Sequence, residues 1–281
     1  MSASIPDGAG AQGALARKVM DHPAWGGFWR QAPVDYTLPD LQACRAYSTG
    51  AEDVAALARL GIHVEGGSGP GNLILLAGGE GGHNLRIRLG TRSGCMAVLG
   101  AECRLFGAIG FEGDGHLLVF NGRGPCHASF TFRSREGACF FGRNGTANQS
   151  DYLIEGPHRS IIIGDDVMLA YRVQIRTSDS HGIVSLDDPS AALNPPASVL
   201  VEPHVWIAKD AVIGRGCRIG RGAIIAMNTI VTGDVAPCTL VGGVPMRVLK
   251  ERVTWTRASQ PAGPEIRAAI AFAQGDARAG G

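Results

Sequence analysis

The sequence predicts an all-β solenoid, and three observations carry that expectation. Aliphatic residues recur at every sixth position: Val201, Ile207, Ile213, Ile219, Ile225 and Val231 follow one another without a break. Four places after each stands a small or branched residue, namely Val205, Ala211, Cys217, Ala223, Thr229 and Val235. A period of six suits neither an amphipathic helix nor simple strand alternation. One short strand and one turn per hexad, with three hexads per coil, build a three-sided prism that points its aliphatic residues inward. The second observation is glycine, 41 of 281 residues, about twice the usual share of about 7%. It shows no three-residue period, so it marks frequent tight turns and not collagen. The third is a hydrophobic content of 45% with mean hydropathy +0.07, which argues against disorder along most of the chain.

The elements follow in order. Residues 1–66 are expected to form an N-terminal helical segment. A helix over 51–60 stops at Gly61, and an aromatic cluster, Trp25, Phe28 and Trp29, either covers the end of the prism, the preferred reading, or grips an acceptor. Residues 67–249 form the solenoid. Its first part, 67–160, carries looser repeats such as Leu99, Leu105, Phe111 and Leu117, and reads as irregular coils of the same prism. The strict register starts at Ile163, Leu169 and Ile175, with Val167 and Val173 four places on. The step from Ile163 to Val201 is six hexads plus two positions, so the registers do not join and something is extruded. Residues 181–200, rich in Asp, Pro, Ser and Asn, read as that loop. Residues 250–281 form a C-terminal segment with a helix that has Pro264 in its first turn and a frayed tail. The glycine stretches 66–71 and 78–82 match no phosphate-binding loop and read as turns. Arg86, Arg88 and Arg92 read as a solvated strand face.

Composition excludes several functions. Lys+Arg is 26 and Asp+Glu is 25, a net charge of +1, so no global field draws the chain to nucleic acid or an acidic membrane. No apolar run reaches a membrane span, and residues 1–20 lack the apolar core of a signal peptide; a cytoplasmic location is expected. Seven scattered cysteines without C-x-x-C support neither a disulfide framework nor a thiolate zinc site. No His-x4-His pair exists, so no metal is expected.

Three segments sharpen the reading: Ser160–His181 (SIIIGDDVMLAYRVQIRTSDSH), Val201–Val212 (VEPHVWIAKDAV) and Ile224–Lys250 (IIAMNTIVTGDVAPCTLVGGVPMRVLK). Together they resemble the left-handed β-helix acetyltransferases built on hexapeptide repeats, in particular the bacterial O-acetyltransferases of capsular polysaccharide and polysialic acid. The resemblance covers about residues 140–256. It implies a left-handed winding, a homotrimer, acetyl-CoA as co-substrate and a carbohydrate hydroxyl as acceptor. Ala208 and Ala226 stand where the family commonly has glycine, and Gly233 replaces a frequent basic residue; these departures bear on the coenzyme contacts.

Acetyl transfer to a hydroxyl needs a base for the alcohol proton, a donor for the oxyanion and a groove for the coenzyme. His181 is the candidate base, because it stands where the hexads end and the loop begins, in Asp-Ser-His context. The plain alternative is a solvent-exposed loop histidine. Asp179 is either the partner that orients the imidazole or a turn residue. Trp206 precedes the inward Ile207 and faces outward, where it stacks on a sugar ring or the coenzyme arm, or packs at a subunit contact. His204 stays unassigned. By resemblance, the coenzyme lies along Ala208, Lys209, Ala226, Thr232 and Pro245, with Arg247 and Lys250 toward its phosphates; the alternative for the last two is a solvated basic patch. Two rival functions stay open: the same chemistry on serine, an amino sugar or an antibiotic, and a non-catalytic β-helix scaffold.

Overall fold

A computed structural model describes residues 11–25, 37–78 and 81–275. The hexad arithmetic translates directly into three-dimensional register. Val201 pairs with Ile219, Ile207 with Ile225, and Ile213 with Val231, each three hexads on and in the next coil of parallel strands. All six aliphatics of the predicted stack are fully buried. The two-residue strands Trp206–Ile207, Val212–Ile213, Arg218–Ile219, Ile224–Ile225 and Ile230–Val231 each cross one face of the prism. The turns between them use one left-handed residue every six: His204, Asp210, Gly216, Gly222 and Asn228, with φ of 57°, 61°, 76°, 70° and 56°. Small or turn-forming side chains tolerate that conformation best.

The first-face strands are Leu73–Leu76, Met96–Leu99, Leu117–Phe120, Ala138–Phe141, Ser160–Ile163, Val199–Val201 and Arg218–Ile219. In the upper coils the second and third faces are separate short strands. In the lower coils one long strand bends across both, as in Cys103–Phe111, Gly124–Phe132 and Thr146–Ile154. Coils there are longer than three hexads. Met96 pairs with Leu117 and Leu117 with Ala138, offsets of 21, and Ala138 pairs with Ser160, an offset of 22. The irregular coils of 67–160 are therefore coils of longer period. Residues 181–198 lie between strands Val173–Arg176 and Val199–Val201, with Leu186 99% exposed, whereas Val199 and Leu200, expected in the loop, are buried strand residues paired with Ile161 and Ile162.

Four expectations are corrected. Residues 1–66 are not purely helical. Beside the helices Ala11–Met20 and Ala51–Arg59, strand Ile62–Gly66 pairs in parallel with Asn84–Gly90, and Arg45–Tyr47 runs antiparallel to Leu73–Leu76. The solenoid sheets thus begin before residue 67. Trp25 does not cover the prism end. It lies on the outer side of the first face, its ring centroid 6.4 Å from that of Phe140, in a second apolar layer with Ala16, Val19 and Leu41. Phe28 and Trp29 lie outside the described residues. Leu117 belongs to this outer layer, while its neighbour Leu118 faces the prism interior. Arg86 and Arg88 are exposed strand residues paired to Glu65, whereas Arg92 sits in the turn beyond.

Polar contacts pin the outer layer. The Thr37 N–H and hydroxyl donate to Asp165 at 2.9 and 2.5 Å, and His22 Nε2 lies 3.0 Å from the Gly94 carbonyl oxygen. His116 is fully buried between Phe111 and Phe132, and its Nδ1 accepts the Gly137 N–H at 3.0 Å. Burial pushes its pKa down to about 4. The helix Gly263–Gln274, with Pro264 in its first turn, lays Phe272 against the prism corner at His204.

Candidate active site

His181 emerges at the edge between the third and first faces, where strand Val173–Arg176 ends. Six places after Ile175, an uninterrupted hexad would point it inward; the extruded loop turns it out, and it is exposed. Its backbone is fixed by Asn194, a buried residue at the far root of the loop. The Asn194 amide Nδ2 donates to the His181 carbonyl at 2.9 Å and to Asp179 Oδ2 at 2.9 Å, while its Oδ1 accepts the Ile183 N–H at 2.6 Å. One side chain therefore holds the main chain at and just after the histidine and the Asp179 carboxylate just before it.

Asp179 takes neither of its two predicted roles in full. Its described partners are Asn194 and Arg215, whose Nε donates to Oδ2 at 2.9 Å, and not the imidazole. Those two hydrogen bonds, Asn194 first, hold its carboxyl below the usual carboxylate range. Asp179 instead ties the loop root to the next coil. Sequence reasoning singled out neither Asn194 nor Arg215. A signal for Arg215 existed: the step of the interrupted coil, Ile163 to Val201, carries Thr177 to position 215.

Trp206 faces outward on the second face, as expected, and is half-buried because Trp255 covers it, with ring centroids 6.3 Å apart. His204 is buried at the neighbouring corner. Its Nδ1 lies 2.7 Å from Asp166 Oδ2, its Nε2 lies 3.1 Å from the Trp255 carbonyl oxygen, and its ring stacks on Trp255 at 4.6 Å. Burial alone would raise the Asp166 pKa, but hydrogen bonds from His204 and Arg257 outweigh it and hold the carboxyl low. With both nitrogens engaged internally, His204 has none to offer a substrate.

The coenzyme candidates divide between edges. Ala208, Lys209 and Ala226 lie where the second face turns into the third. Thr232 follows strand Ile230–Val231 on the same edge as His181. Pro245, Arg247 and Lys250 lie at the end of the prism, where Arg247–Glu251 turns back antiparallel on Thr239–Gly242 and is exposed throughout. Met227, Ile230 and Val244 are exposed too, as are Val248 and Leu249 within that strand. Among the described residues no three His, Cys, Asp or Glu side chains are grouped to hold a metal ion. No helix among them is long and apolar enough to cross a membrane.

Comparison with known proteins agrees with the fold. Residues 198–233 match the family model described as bacterial transferase hexapeptide, six repeats. The putative lipopolysaccharide biosynthesis O-acetyl transferase WbbJ of Escherichia coli K12 is 29% identical over 123 residues, covering 41% of this chain and 61% of that protein. A 2,3,4,5-tetrahydropyridine-2,6-dicarboxylate N-acetyltransferase of Staphylococcus aureus is 42% identical over 64 residues, 22% of this chain and 27% of that one. The chain thus spans less than two thirds of the length of either relative. The crystal structure of the polySia-specific acetyltransferase NeuO superposes with a TM-score of 0.65 at 20% identity, over 72% of this chain and 91% of that one. The architecture is that of the left-handed parallel β-helix built on hexapeptide repeats.

Proposed function

We propose that this hexapeptide-repeat chain transfers acetyl from acetyl-CoA to a carbohydrate hydroxyl of a surface polysaccharide or its precursor. The observation that carries the reading is His181, exposed at the root of an extruded loop and clamped by Asn194. The likeness to acetyltransferases supports the reaction class. The acceptor hydroxyl gives its proton to the His181 imidazole as its oxygen attacks the thioester carbonyl carbon. The tetrahedral oxyanion collapses, the C–S bond breaks, and the coenzyme thiolate takes the proton back from the imidazolium. The thioester is already activated, so no covalent enzyme intermediate is needed.

Acetyl-CoA runs along the edge of Ala208 and Ala226, where small side chains let the pantetheine amides approach the backbone, with Lys209 and Pro245 beside it, while Thr232, on the edge of His181, reaches it from a second copy. Arg247 and Lys250 meet its phosphates. His181 and Ala208 occupy different edges of one prism, so a complete site requires a second copy; a homotrimer closes that arrangement symmetrically. The loop's exposed Ile183, Val184, Leu186 and Leu193 fit such a contact. The reaction is placed in the cytoplasm, where acetyl-CoA is made.

The test is thiol release from acetyl-CoA against a panel of acceptors. Carbohydrate is expected to be consumed in preference to serine, amino sugars and chloramphenicol. His181→Ala should lower kcat by about 10²–10⁴-fold, the usual contribution of a positioned base, with acetyl-CoA affinity unchanged. Near wild-type turnover by a folded variant refutes the mechanism. A wild-type protein that binds no acetyl-CoA leaves the scaffold reading.

A further inference from the structure

The bent strands of the lower coils leave a groove along the edge between the second and third faces. Phe106, His127 and Asn148 stand in register on three successive strands. The Phe106 and His127 rings stack, centroids 5.0 Å apart and 22° from parallel. Tyr171, 56% exposed, closes the same groove. Between them sits Gln149. Asn148 pairs with His127, an offset of 21, but Ser150 pairs with Ala128, an offset of 22. Gln149 is the single extra residue that makes this coil longer than the two before it. It is a bulge with φ of 116°, a conformation that costs a non-glycine residue energy. Bulges re-aim side chains and concentrate beside functional sites, and this one opens into the groove.

We propose that this groove binds an uncharged glycan chain, the part of the acceptor that lies beyond the hydroxyl being acetylated. The inference rests on the acetyltransferase reading. Aromatic rings offer faces to the C–H surface of a sugar, and the Asn148 and Gln149 amides offer both donors and acceptors to its hydroxyls. The charge class follows from the lining, which holds the carboxyl of Asp151 and no lysine or arginine among the described residues. An anionic polymer would meet a like charge there without a compensating cation. The position fits the chemistry as well. The column continues upward through Ala170, Ala208 and Ala226, whose N–H groups donate to Ile207, Ile225 and Val241. Asn148 is therefore two coils from Ala208, roughly 10 Å at about 4.8 Å per coil, so a bound chain points toward the coenzyme edge.

The experiment uses the full chain without acetyl-CoA on an array of purified bacterial polysaccharides, neutral and anionic. Wild-type protein is expected to retain neutral members. Tyr171→Ala should weaken retention roughly threefold to tenfold, the range of one stacking contact, and Gln149→Gly by a similar factor, the range of one neutral hydrogen bond. Glycine relaxes the backbone at position 149, so misfolding does not explain a loss there. Retention of anionic members alone, retention of no member, or undiminished retention by both variants overturns the proposal. Acetyl-CoA binding, measured separately, is expected to be unaffected by either variant. Its absence from the wild type, with glycan retention intact, would refute the acetyltransferase reading and leave the groove standing.

Discussion

Asn194→Ala is the perturbation that most directly probes how the loop presents His181. The side chain makes two hydrogen bonds to neutral backbone groups, the His181 carbonyl and the Ile183 N–H, and one to the charged Asp179. Neutral bonds contribute about 1 kcal/mol each and a charged one about 1.5–3 kcal/mol. Asp179 keeps Arg215 after the change, and the exposed groups regain water, so the net loss of order at His181 is about 2–3 kcal/mol. At about 1.4 kcal/mol per tenfold in rate, kcat should fall roughly 30- to 140-fold. The assay is steady-state thiol release with both substrates varied. The KM for acetyl-CoA should stay within about twofold, because the described contacts of Asn194 are to the loop backbone and Asp179 and to none of the residues assigned to the coenzyme. Arg215→Ala, which removes one contact to Asp179 and none to the histidine backbone, should cost less than Asn194→Ala. A kcat within threefold of wild type for a folded Asn194→Ala protein refutes the clamp, as does a loss that appears wholly in the acetyl-CoA KM.

Other outcomes follow from the same structure. Arg247→Ala should raise the acetyl-CoA KM by an amount equivalent to about 1–3 kcal/mol, the range for a hydrogen bond to a charged group, with little change in the acceptor KM; an unchanged acetyl-CoA KM removes Arg247 from the site. Ile207→Ala should destabilise the prism by about 2–5 kcal/mol in urea unfolding, since its side chain is fully buried between Leu169 and Ile225. His116 has its pKa lowered to about 4 by burial, against about 6.5 when unfolded. The unfolded chain therefore binds the extra proton first. The stability that His116 provides is complete above pH 6.5 and disappears as pH falls toward 4, a loss of about 2–3 kcal/mol by pH 4.5. Urea midpoints at pH 7.5 and 4.5 measure it, and His116→Phe should flatten that slope.

The upper coils were legible because a strict hexad forces each aliphatic residue to the same depth, so one periodic sum fixes Val201 through Val231. The lower coils hid their register. Their period of 21 or 22 lets one long strand bend across two faces, and alternation then carries Leu117 outward while Leu118 goes in. The N-terminal cover was placed wrongly for a related reason. A β-helix strand that is apolar on both sides, such as Leu117–Phe120, signals a layer packed outside the prism, and that cue lies in the solenoid, not in the segment that covers it. At the site, the hexad break located His181. The contacts of Asp179 depended on which side chains the loop returns to the corner, and a spacing argument has no term for the path of an irregular loop.

The strap formed by residues 15–25 and 37–44 has a mechanical consequence. A bare solenoid behaves like a row of dominoes, each coil knowing only its neighbours, and it unravels from whichever end is weaker. Here Leu75, Met96, Val98, Leu117, Val119, Ala138, Phe140, Ile162 and Leu200 touch one common layer across six successive coils. Thr37 bolts that layer to Asp165, and His22 bolts it to Gly94. The strap works as a splint. Fraying of one coil strains the contacts of the rest, so the lower prism should yield as a single block, which gives the extruded loop a common footing.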